Sequence, residues 1–430
     1  MMQLTKYKLS DVAKVEISGV DKKIHEGETP VKLCNFTDVY NNWAITKDQE
    51  PNFMRASAND NEIRRFSLHK GQVAFTKDSE TRYDIGIPTY IADDFDDVLL
   101  GYHCALITPN EDIALGAYIN AFMHTSFIQK YFANNAGGSG QRYTLSVETM
   151  ENMPLLLPSM ENQIRIANLF SNIDRKIALC KAMNENLEAI ARQLYDYWFV
   201  QFDFPDVNGN PYKLSGGKMY YNHSIKRNIP EGWDVKSINL LAQSTRGVTY
   251  SKSDLVEPSS NSILVLRGNN IENNKLVYDG NVAYIPKELV LEQQKIKKLD
   301  IIMTMSSGSK AHIGKCMMFN YDSPDTYGAF LNKFTASKEY AYLLFLHFTS
   351  NEFKHKIQTI CNGTGINNLT NESFNQILLP IPDTSILNQF VSIVAPIFDN
   401  IGKNEQEILS QTKLRNELLP LLMNGQVSVN

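Results

Sequence analysis

The chain has 430 residues, of which 43% are hydrophobic, with a formal net charge of −5 and a pI of about 6.0. This length supports two or more domains, and the apolar content excludes wholesale disorder. No run of about 18 apolar residues exists, so no membrane span is predicted, and the polar N-terminus lacks the apolar core of a signal peptide. The acidic balance disfavours a simple nucleic-acid binder, so DNA binding would require basic residues gathered on one face.

The five cysteines are scattered at positions 34, 104, 180, 316 and 361, with no CxxC spacing. An odd, dispersed set disfavours a disulfide framework or a zinc site, and it indicates reduced thiols in the cytoplasm. The eight histidines show no HExxH or other ligand spacing, so no metal site is predicted.

The first element in chain order is a mixed α/β domain over residues 1–157. Residues 31–36 form a short β-rich run bounded by turn residues, and residues 113–133 have a helical pattern. The domain ends in the Leu/Pro-rich sequence MPLLLP.

Residues 158–203 are predicted to form a long helix. Its apolar residues alternate at spacings of four and three, which is a heptad seam. The seam consists of Ile166, Phe170, Ile173, Ile177, Cys180, Asn184, Leu187, Ala191, Leu194 and Trp198. A helix from Ile166 to Trp198 would span roughly 50 Å.

Residues 204–232 are rich in Gly, Pro and Asn and are predicted to be a linker. A second mixed α/β domain follows over residues 233–380. It has β-rich runs at 262–267 and 300–305 and a helical run at 338–359.

Residues 381–430 form a second predicted helix, with a poorer seam interrupted by Gln411 and Arg415. Pro396 lacks a backbone donor, so we expect it to kink this helix or to mark its true start. If the two long helices pair antiparallel with Ile166 opposite Leu422, Asn184 lies opposite Asn404. A buried Asn pair would set the register of the helices at some cost in stability, the alternative being that one Asn points to water.

An internal repeat relates the two halves. Segment 117–158 aligns with segment 341–382 at a constant offset of 224 residues, sharing Ala-Tyr, Thr-Ser, a Gly-x-Gly turn and a Leu/Pro-rich exit. Further upstream, Asp84-Ile85-Gly86 resembles His312-Ile313-Gly314. A collinear series over both halves indicates duplication of one structural unit.

Catalytic motifs are approached but not met. The stretch from Gly308 to Cys316 has five residues between its glycines where a P-loop has four, and a cysteine where magnesium needs a hydroxyl. The Gly137-Gly138-Ser139-Gly140 turn follows a helical run and not a strand. Asn210-Pro211-Tyr212 is one residue short of the Asn-Pro-Pro-Tyr box, and Pro324-Asp325 with Glu352-Phe353-Lys354 is a loose nuclease pattern that chance explains.

Polar loops at matching places in the two halves are the predicted DNA contacts, because base reading requires exposed donors and acceptors with Lys and Arg around them. The first half offers residues 77–83 and 139–143, and the second offers 306–312, 364–368 and 267–270. Their flanks agree while their sequences differ, as expected of two copies that read different half-sites. Arg64 and Arg65, with Lys295, Lys297 and Lys298, are predicted phosphate contacts. The predicted base and backbone contacts in the loops are Lys77, Arg82, Tyr83, Gln141, Arg142, Tyr143, Arg267, Asn269, Asn270, Ser307, Ser309, Lys310, His312, Thr364, Asn367 and Asn368.

The stretch LYDYWFVQFDFPDVNGNPYKLSGG at 194–217, followed by IPEGWDVK at 229–236, resembles the central region of type I restriction–modification specificity subunits. The MPLLLP and ILLPIP exits also look like that family, and the resemblance covers essentially the whole chain. It implies an α/β (α+β) fold with two pseudo-twofold-related target-recognition domains separated by two long antiparallel helices.

The resemblance further implies a non-catalytic subunit that binds a bipartite, asymmetric double-stranded DNA target. Its partners would be two methyltransferase subunits and the nuclease–translocase restriction subunits. S-adenosylmethionine, ATP and Mg²⁺ would belong to those partners and not to this chain. The alternatives are a fused or degenerate DNA methyltransferase or restriction enzyme, and a coiled-coil adaptor without DNA contact.

Overall fold

A computed structural model describes residues 2–138, 140–278, 282–361 and 367–429. Its contacts divide the chain into a first unit, Met1–Cys180 with Glu407–Asn430, and a second unit, Lys181–Gln406. Each unit therefore contains one α/β domain and one part of each long helix.

The first unit is built on a five-stranded sheet in the order Ala13–Ile17, Cys104–Pro109, Val73–Thr76, Pro88–Ile91, Ala44–Ile45. The other strands are Thr5–Lys8, Thr29–Cys34, Met54–Ala58, Asp78–Ser79, Val98–Leu100, Gly137–Gly138, Tyr143–Thr144 and Pro154–Leu157. The helices of this domain are Leu9–Val12, Phe36–Asn41, Lys47–Asn52 (3-10), Asp60–Phe66, Gly116–Met123, Ser126–Asn135 and Val147–Glu151.

The second unit has the corresponding sheet in the order Ala242–Arg246, Leu331–Ala336, Ile301–Thr304, Cys316–Met318. The other strands are Met219–Asn222, Arg227–Pro230, Asp234–Ser237, Ser262–Leu266, Ile271–Glu272, Lys275–Leu276, Ala283–Pro286, Ser306–Ser307, Thr326–Tyr327, Asn367–Asn368 and Leu378–Ile381. The α-helices are Ile238–Leu241, Lys338–Phe348 and Asn351–Ile360, and the 3-10 turns are Lys252–Asp254, Gly268–Asn270, Lys287–Leu289, Glu292–Gln294, Lys310–His312 and Asn371–Asn375.

The internal repeat extends to individual hydrogen bonds. In the first unit the Lys77 amide donates to the His103 carbonyl, and in the second the Met305 amide donates to the Phe330 carbonyl, both at 2.9 Å. The Leu145 amide donates to Lys77 O, and the equivalent Leu369 amide donates to Met305 O. These matched bonds confirm the duplication that the sequence predicted.

The Leu/Pro-rich exits are β-strands. Pro154–Leu157 pairs antiparallel with the first strand of its domain, Thr5–Lys8, and Leu378–Ile381 pairs in the same way with Asp234–Ser237. Alternate residues of each exit strand are buried, which is the period-two pattern of a strand with one face in a core. Each domain is thus closed by pairing its two ends.

Each predicted helical run before the exits is two helices and not one. The first run is interrupted at Thr125, which is the N-cap of the second helix, Ser126–Asn135. The Thr125 side chain accepts a hydrogen bond from the Ile128 amide at 3.4 Å. Ser350 does the same in the second unit, accepting from Phe353 at 3.2 Å. The shared Thr-Ser of the repeat therefore marks a helix N-cap.

The first long helix is Met160–Tyr195, 36 residues, followed by a π-helical turn Asp196–Val200. The second is Thr384–Met423, 40 residues. In the first unit, Ile166 and Phe170 share a buried cluster with Leu419 and Leu422, which is an antiparallel pairing. Most of the predicted seam is buried, with Leu187 and Leu194 partly so, because a heptad stripe on each helix covers the other.

The second unit brings Asn184 and Asn404 together. Asn404 Nδ2 donates to Asn184 Oδ1 at 2.7 Å, and Asn184 Nδ2 lies 3.4 Å from the Ile401 carbonyl oxygen. The Asn184 side chain is buried, so the pair places polar groups inside the largely apolar seam between the helices.

We predict that replacing both residues with leucine (N184L/N404L) raises the free energy of unfolding by about 1 kcal/mol, because apolar burial then replaces a modest net hydrogen bond. Denaturant unfolding of the full chain measures this effect. The single variant N184L is the control, since it leaves the Asn404 amide without this acceptor and should lower stability. Clear destabilisation by the double change would contradict the prediction.

Two features of the sequence-based expectation need revision. Of the two alternatives for Pro396, the structure excludes the one in which it marks the start of the second long helix: the helix begins at Thr384, and the turns before the proline contain the fully buried Phe390 and Val394. Residues 204–232 are not a simple linker. They form an antiparallel hairpin, and Phe204 is buried against Tyr212 and Trp233, with ring centroids 4.7 and 5.2 Å apart. Gly209, Gly216 and Gly232 adopt positive φ in its turns.

Among the helices that the structure describes, none is long and apolar enough to cross a membrane.

Candidate nucleic-acid interface

A short strand ladder joins the two loops of the first unit that are predicted to contact DNA, residues 77–83 and 139–143, which are called the reading loops below. Asp78 and Ser79 pair antiparallel with Thr144 and Tyr143, and that strand pairs in turn with Gly137–Gly138. Loops 65 residues apart in the sequence, at 78 and 143, therefore meet at one surface.

Asp78 is the centre of a charged cluster on this surface. Its Oδ2 accepts from Lys77 Nζ at 2.9 Å and lies 2.6 Å from His103 Nδ1 and 3.7 Å from Arg142 Nη2. Burial raises the pKa of the Asp78 carboxyl, but hydrogen bonds from Thr144, His103 and Lys77 outweigh burial and leave the pKa below its usual value. The cluster therefore holds one carboxylate among cationic and imidazole groups.

Three of the remaining predicted contacts of this loop pair are exposed, and Tyr143 is half-buried. Tyr83 is 84% exposed, and Gln141 and Arg82 are exposed as well. The Arg82 guanidinium lies over the Tyr143 ring at 5.2 Å from its centroid, an arrangement that orients both groups. Ser139 lies outside the described residues.

A cleft of about 580 Å³ opens beside this cluster. Its lining includes Lys22, Tyr102 and His103, which were not among the predicted contacts. Tyr102 and His103 form the turn before strand Cys104–Pro109, and their rings lie 3.7 Å apart. The sequence of this turn contains no recognisable motif. Its position beside the predicted DNA-contact loops is therefore seen only in the structure.

The second unit builds the same ladder from different residues. Ser306 and Ser307 pair antiparallel with Asn368 and Asn367. The Ser306 hydroxyl donates to Asn368 Oδ1, and Ser307 Oγ accepts from the Ser309 amide at 3.2 Å. Ser309, Lys310 and His312 are exposed in the adjoining turn. Thr364, and the Asn367 side chain, lie outside the described residues.

A cleft of about 950 Å³ lies in the second unit, lined by cationic and aromatic side chains. Arg267 Nε donates to the Tyr250 hydroxyl at 3.0 Å, and Arg246 Nε donates to the Ala329 carbonyl at 3.2 Å. Phe330 stands at the cleft with 68% of its surface exposed. Arg246, Tyr250 and Phe330 were not among the predicted contacts, whereas Arg267 was.

Asn270 was predicted to contact DNA, and the structure contradicts that prediction. It is 1% exposed, its Oδ1 accepts from the Arg267 amide at 2.9 Å, and its Nδ2 donates to the Val277 carbonyl at 2.9 Å. Both ends of the amide thus hold the turn that presents Arg267. Asn269, next to it, is exposed.

The predicted phosphate contacts lie apart from the two clefts, whose linings include none of them. Arg65 Nε donates to Glu16 at 3.0 Å and Arg64 Nη2 to Asn61 Oδ1 at 3.3 Å. Lys298 pairs with Asp399 on the second long helix at 2.7 Å. Carboxylate neighbours reduce the positive charge that Arg65 and Lys298 can offer to DNA.

Residues of the near-catalytic motifs have other partners. Asp325 accepts from the Tyr278 hydroxyl at 2.7 Å, and Glu352 lies 3.7 Å from Arg227. Tyr212 stacks on Phe204 and donates its hydroxyl to the Lys218 carbonyl. Within the described part of the chain, no three His, Cys, Asp or Glu side chains group in a way that could hold a metal ion.

Comparison with known proteins places this geometry in a family. Residues 4–189 and 230–413 both match the "Type I restriction modification DNA specificity domain". The chain is 33% identical over 197 residues to the "Type I restriction enzyme StySPI specificity subunit" of Salmonella potsdam, covering 45% of this chain and 41% of that relative. It is 25% identical over 410 residues to the "Type I restriction enzyme MjaIX specificity subunit" of Methanocaldococcus jannaschii, covering 93% and 86%.

The fold is similar to the crystal structure of a type I restriction–modification system S subunit from M. genitalium, with a TM-score of 0.55 and 13% identity over 98% of this chain and 96% of that one. The match to the Salmonella relative, like a 31% match to the EcoKI specificity subunit of Escherichia coli, spans less than half of the relative's length. The family match, in contrast, covers both halves of the chain. This chain therefore belongs to the type I restriction modification DNA specificity domain family and contains two copies of that domain.

Proposed function

We propose that this chain is the DNA-reading subunit of a type I restriction–modification complex, with each domain contacting one part of a bipartite, asymmetric double-stranded target. One observation carries the proposal. Both units build the same two-strand ladder joining two polar loops beside a cleft with cationic and aromatic side chains, but from different residues.

The chemistry of the two surfaces supports different base preferences. The first unit offers Lys77, His103 and Arg142 around a carboxylate, while the second offers serine hydroxyls and the Asn368 amide beside Arg246 and Arg267. Guanidinium groups suit guanine, and hydroxyl and amide groups suit other base edges. An asymmetric target is the expected result.

Partners and cofactors follow from the family as proposals. Two methyltransferase subunits and the restriction subunits would supply catalysis, with S-adenosylmethionine, ATP and Mg²⁺ bound in those subunits. The engagement of the near-catalytic residues Asp325, Glu352 and Tyr212 in contacts within their own unit supports a reading role for this chain and not a catalytic one.

The test is methylation mapping of DNA from cells that express this chain with its methyltransferase partner. We predict two short specified sequences separated by an unspecified gap. A single continuous motif would contradict the two-reader arrangement. A salt titration of the purified complex on target DNA separates the remaining alternatives: affinity should fall as salt rises, whereas an adaptor without DNA contact adds no salt-dependent affinity to that of the partner alone. Methylation or cleavage by the lone chain would favour a fused enzyme.

A further inference from the structure

The Asp78 cluster of the first unit consists of Asp78, Lys77, His103 and Arg142. Burial and backbone conformation hold it in place, as well as charge. The Asp78 side chain is only 9% exposed, and His103 adopts a left-handed backbone with φ of 75°. This backbone conformation is unfavourable for a residue other than glycine, so surrounding contacts must hold it in place. Here the Lys77 amide donates to the His103 carbonyl, and the neighbouring Tyr102 amide donates to Val20 O at 2.8 Å.

Arg142 is the member of the cluster that faces outward. Its side chain is 57% exposed, while one terminal nitrogen lies 3.0 Å from His103 Nε2 and 2.5 Å from Nδ1. The guanidinium carries five donors, so most of them remain available to a ligand. A donor fork of fixed orientation suits the paired O6 and N7 acceptors of guanine in the major groove.

The second unit lacks the Asp78–His103 interaction at the same place in the fold. The shared strand registers put Ser306 at the position of Asp78 and Met305 at that of Lys77. Phe330, largely exposed, takes the position of His103. Because the domain folds without these charges in its second copy, the cluster is not required by the fold and serves something particular to the first unit.

We propose that Arg142 reads a guanine in the half-site of the first unit, and that Asp78 is a positioning residue that holds the guanidinium in place through His103. This inference deepens the proposed function and rests on it. The recognised group is the major-groove edge of a G·C pair. Lys77, which also binds Asp78, lies at 18% exposure and is a secondary member of the cluster.

The experiment uses the full chain in complex with its methyltransferase partner and compares R142A, R142K and D78N by methylation mapping and by binding to the mapped target. R142A should relax one guanine position in one half of the motif and lower specific affinity roughly 10- to 100-fold. R142K should not restore selectivity, because lysine lacks the bidentate fork. D78N should relax the same position, an effect that a purely structural defect would not confine to one base pair.

The matched control is S306A, which alters the equivalent position of the second unit and should leave that guanine specified. If D78N does not fold, R142A and H103Q test the proposal without it. An unchanged motif in R142A would overturn the proposal. So would a uniform loss of affinity for all sequences with a salt slope reduced by about one, since Arg142 would then contact a phosphate. A wild-type complex that shows no bipartite motif would instead reject the proposed function itself.

Discussion

Replacing Lys333 with leucine (K333L) should lower the free energy of unfolding of the second unit by about 3 to 5 kcal/mol, because it leaves the Asp300 carboxylate buried without its cation. Lys333 Nζ lies 3.1 Å from Asp300 Oδ2, and the two side chains are 8% and 3% exposed. The pair is well satisfied: Lys333 also donates to the Lys295 carbonyl at 2.7 Å, and Asp300 accepts from Thr335 at 2.5 Å.

The equivalent position of the first unit has no ion pair. The strand registers place Leu106 at the position of Lys333 and Gln72 at that of Asp300. Gln72 Nε2 donates to Thr108 Oγ1 at 3.0 Å, and its Oε1 accepts from the His69 amide at 2.8 Å. These bonds match the contacts of Asp300 with Thr335 and with the Lys297 amide. The double variant K333L/D300Q should therefore recover most of the lost stability.

Denaturant unfolding of the full chain measures both variants, and hydrogen exchange of strand Leu331–Ala336 localises the effect. The control is K298M, which removes an exposed partner of Asp399 and should cost less than about 1 kcal/mol. If K333L costs no more than K298M, or if the double variant is no better than K333L, the uncompensated-charge argument is wrong.

The features that sequence predicted well are those encoded in local periodicity. The heptad spacing of Ile166, Phe170 and Ile173 requires only a helix and a partner stripe, and the structure buries all three. The repeat likewise matched loops 77–83 and 139–143 of the first half with 306–312 and 364–368 of the second, and in each half the structure pairs short strands from the two loops. The same hydrogen-bond pattern recurs in both copies because both fold alike.

The features that sequence missed depend on contacts between distant segments. Asn270 is polar and lies in a loop, so it resembled a DNA contact, but it holds a turn through Val277. Phe330 and Arg246 belong to strands and turns without motifs, and they line the cleft only because strands Ala242–Arg246 and Leu331–Ala336 pair. Asparagine favours caps and turns as much as it favours recognition, so residue type alone could not separate the two roles.

The substitution G247A should destabilise the second unit by about 3 kcal/mol through steric overlap of the new methyl group. A Cβ at Gly247 would lie 2.3 Å from the Gly328 carbonyl oxygen and 2.4 Å from that of Tyr327. Both are backbone atoms held in place: the Val248 amide donates to Tyr327 O at 2.8 Å, and the Gly328 amide donates to Leu266 O at 2.9 Å. Relief of the overlap therefore requires these segments to separate.

The same position in the first unit, Ser18, shows what a side chain demands there. The Ser18 hydroxyl donates to the Leu100 carbonyl at 2.5 Å, so a side chain joins the segments that meet directly through backbone in the second unit. Alanine at 247 would bring the bulk of a side chain without that hydrogen bond. Since Arg246 and Val248 line the second cleft, reading of the second half-site should weaken together with stability.

Thermal and denaturant unfolding of the full chain measure G247A, with G308A as the matched control in the same unit. A Cβ at Gly308 would meet no atom within 4 Å, so G308A should be neutral or stabilise by about 0.4 to 1 kcal/mol through reduced freedom of the unfolded chain. Methylation mapping of the G247A complex should show the first half-site still specified and the second relaxed. Equal stability of G247A and G308A would mean that the strands at Gly328 yield more easily than their hydrogen bonds indicate.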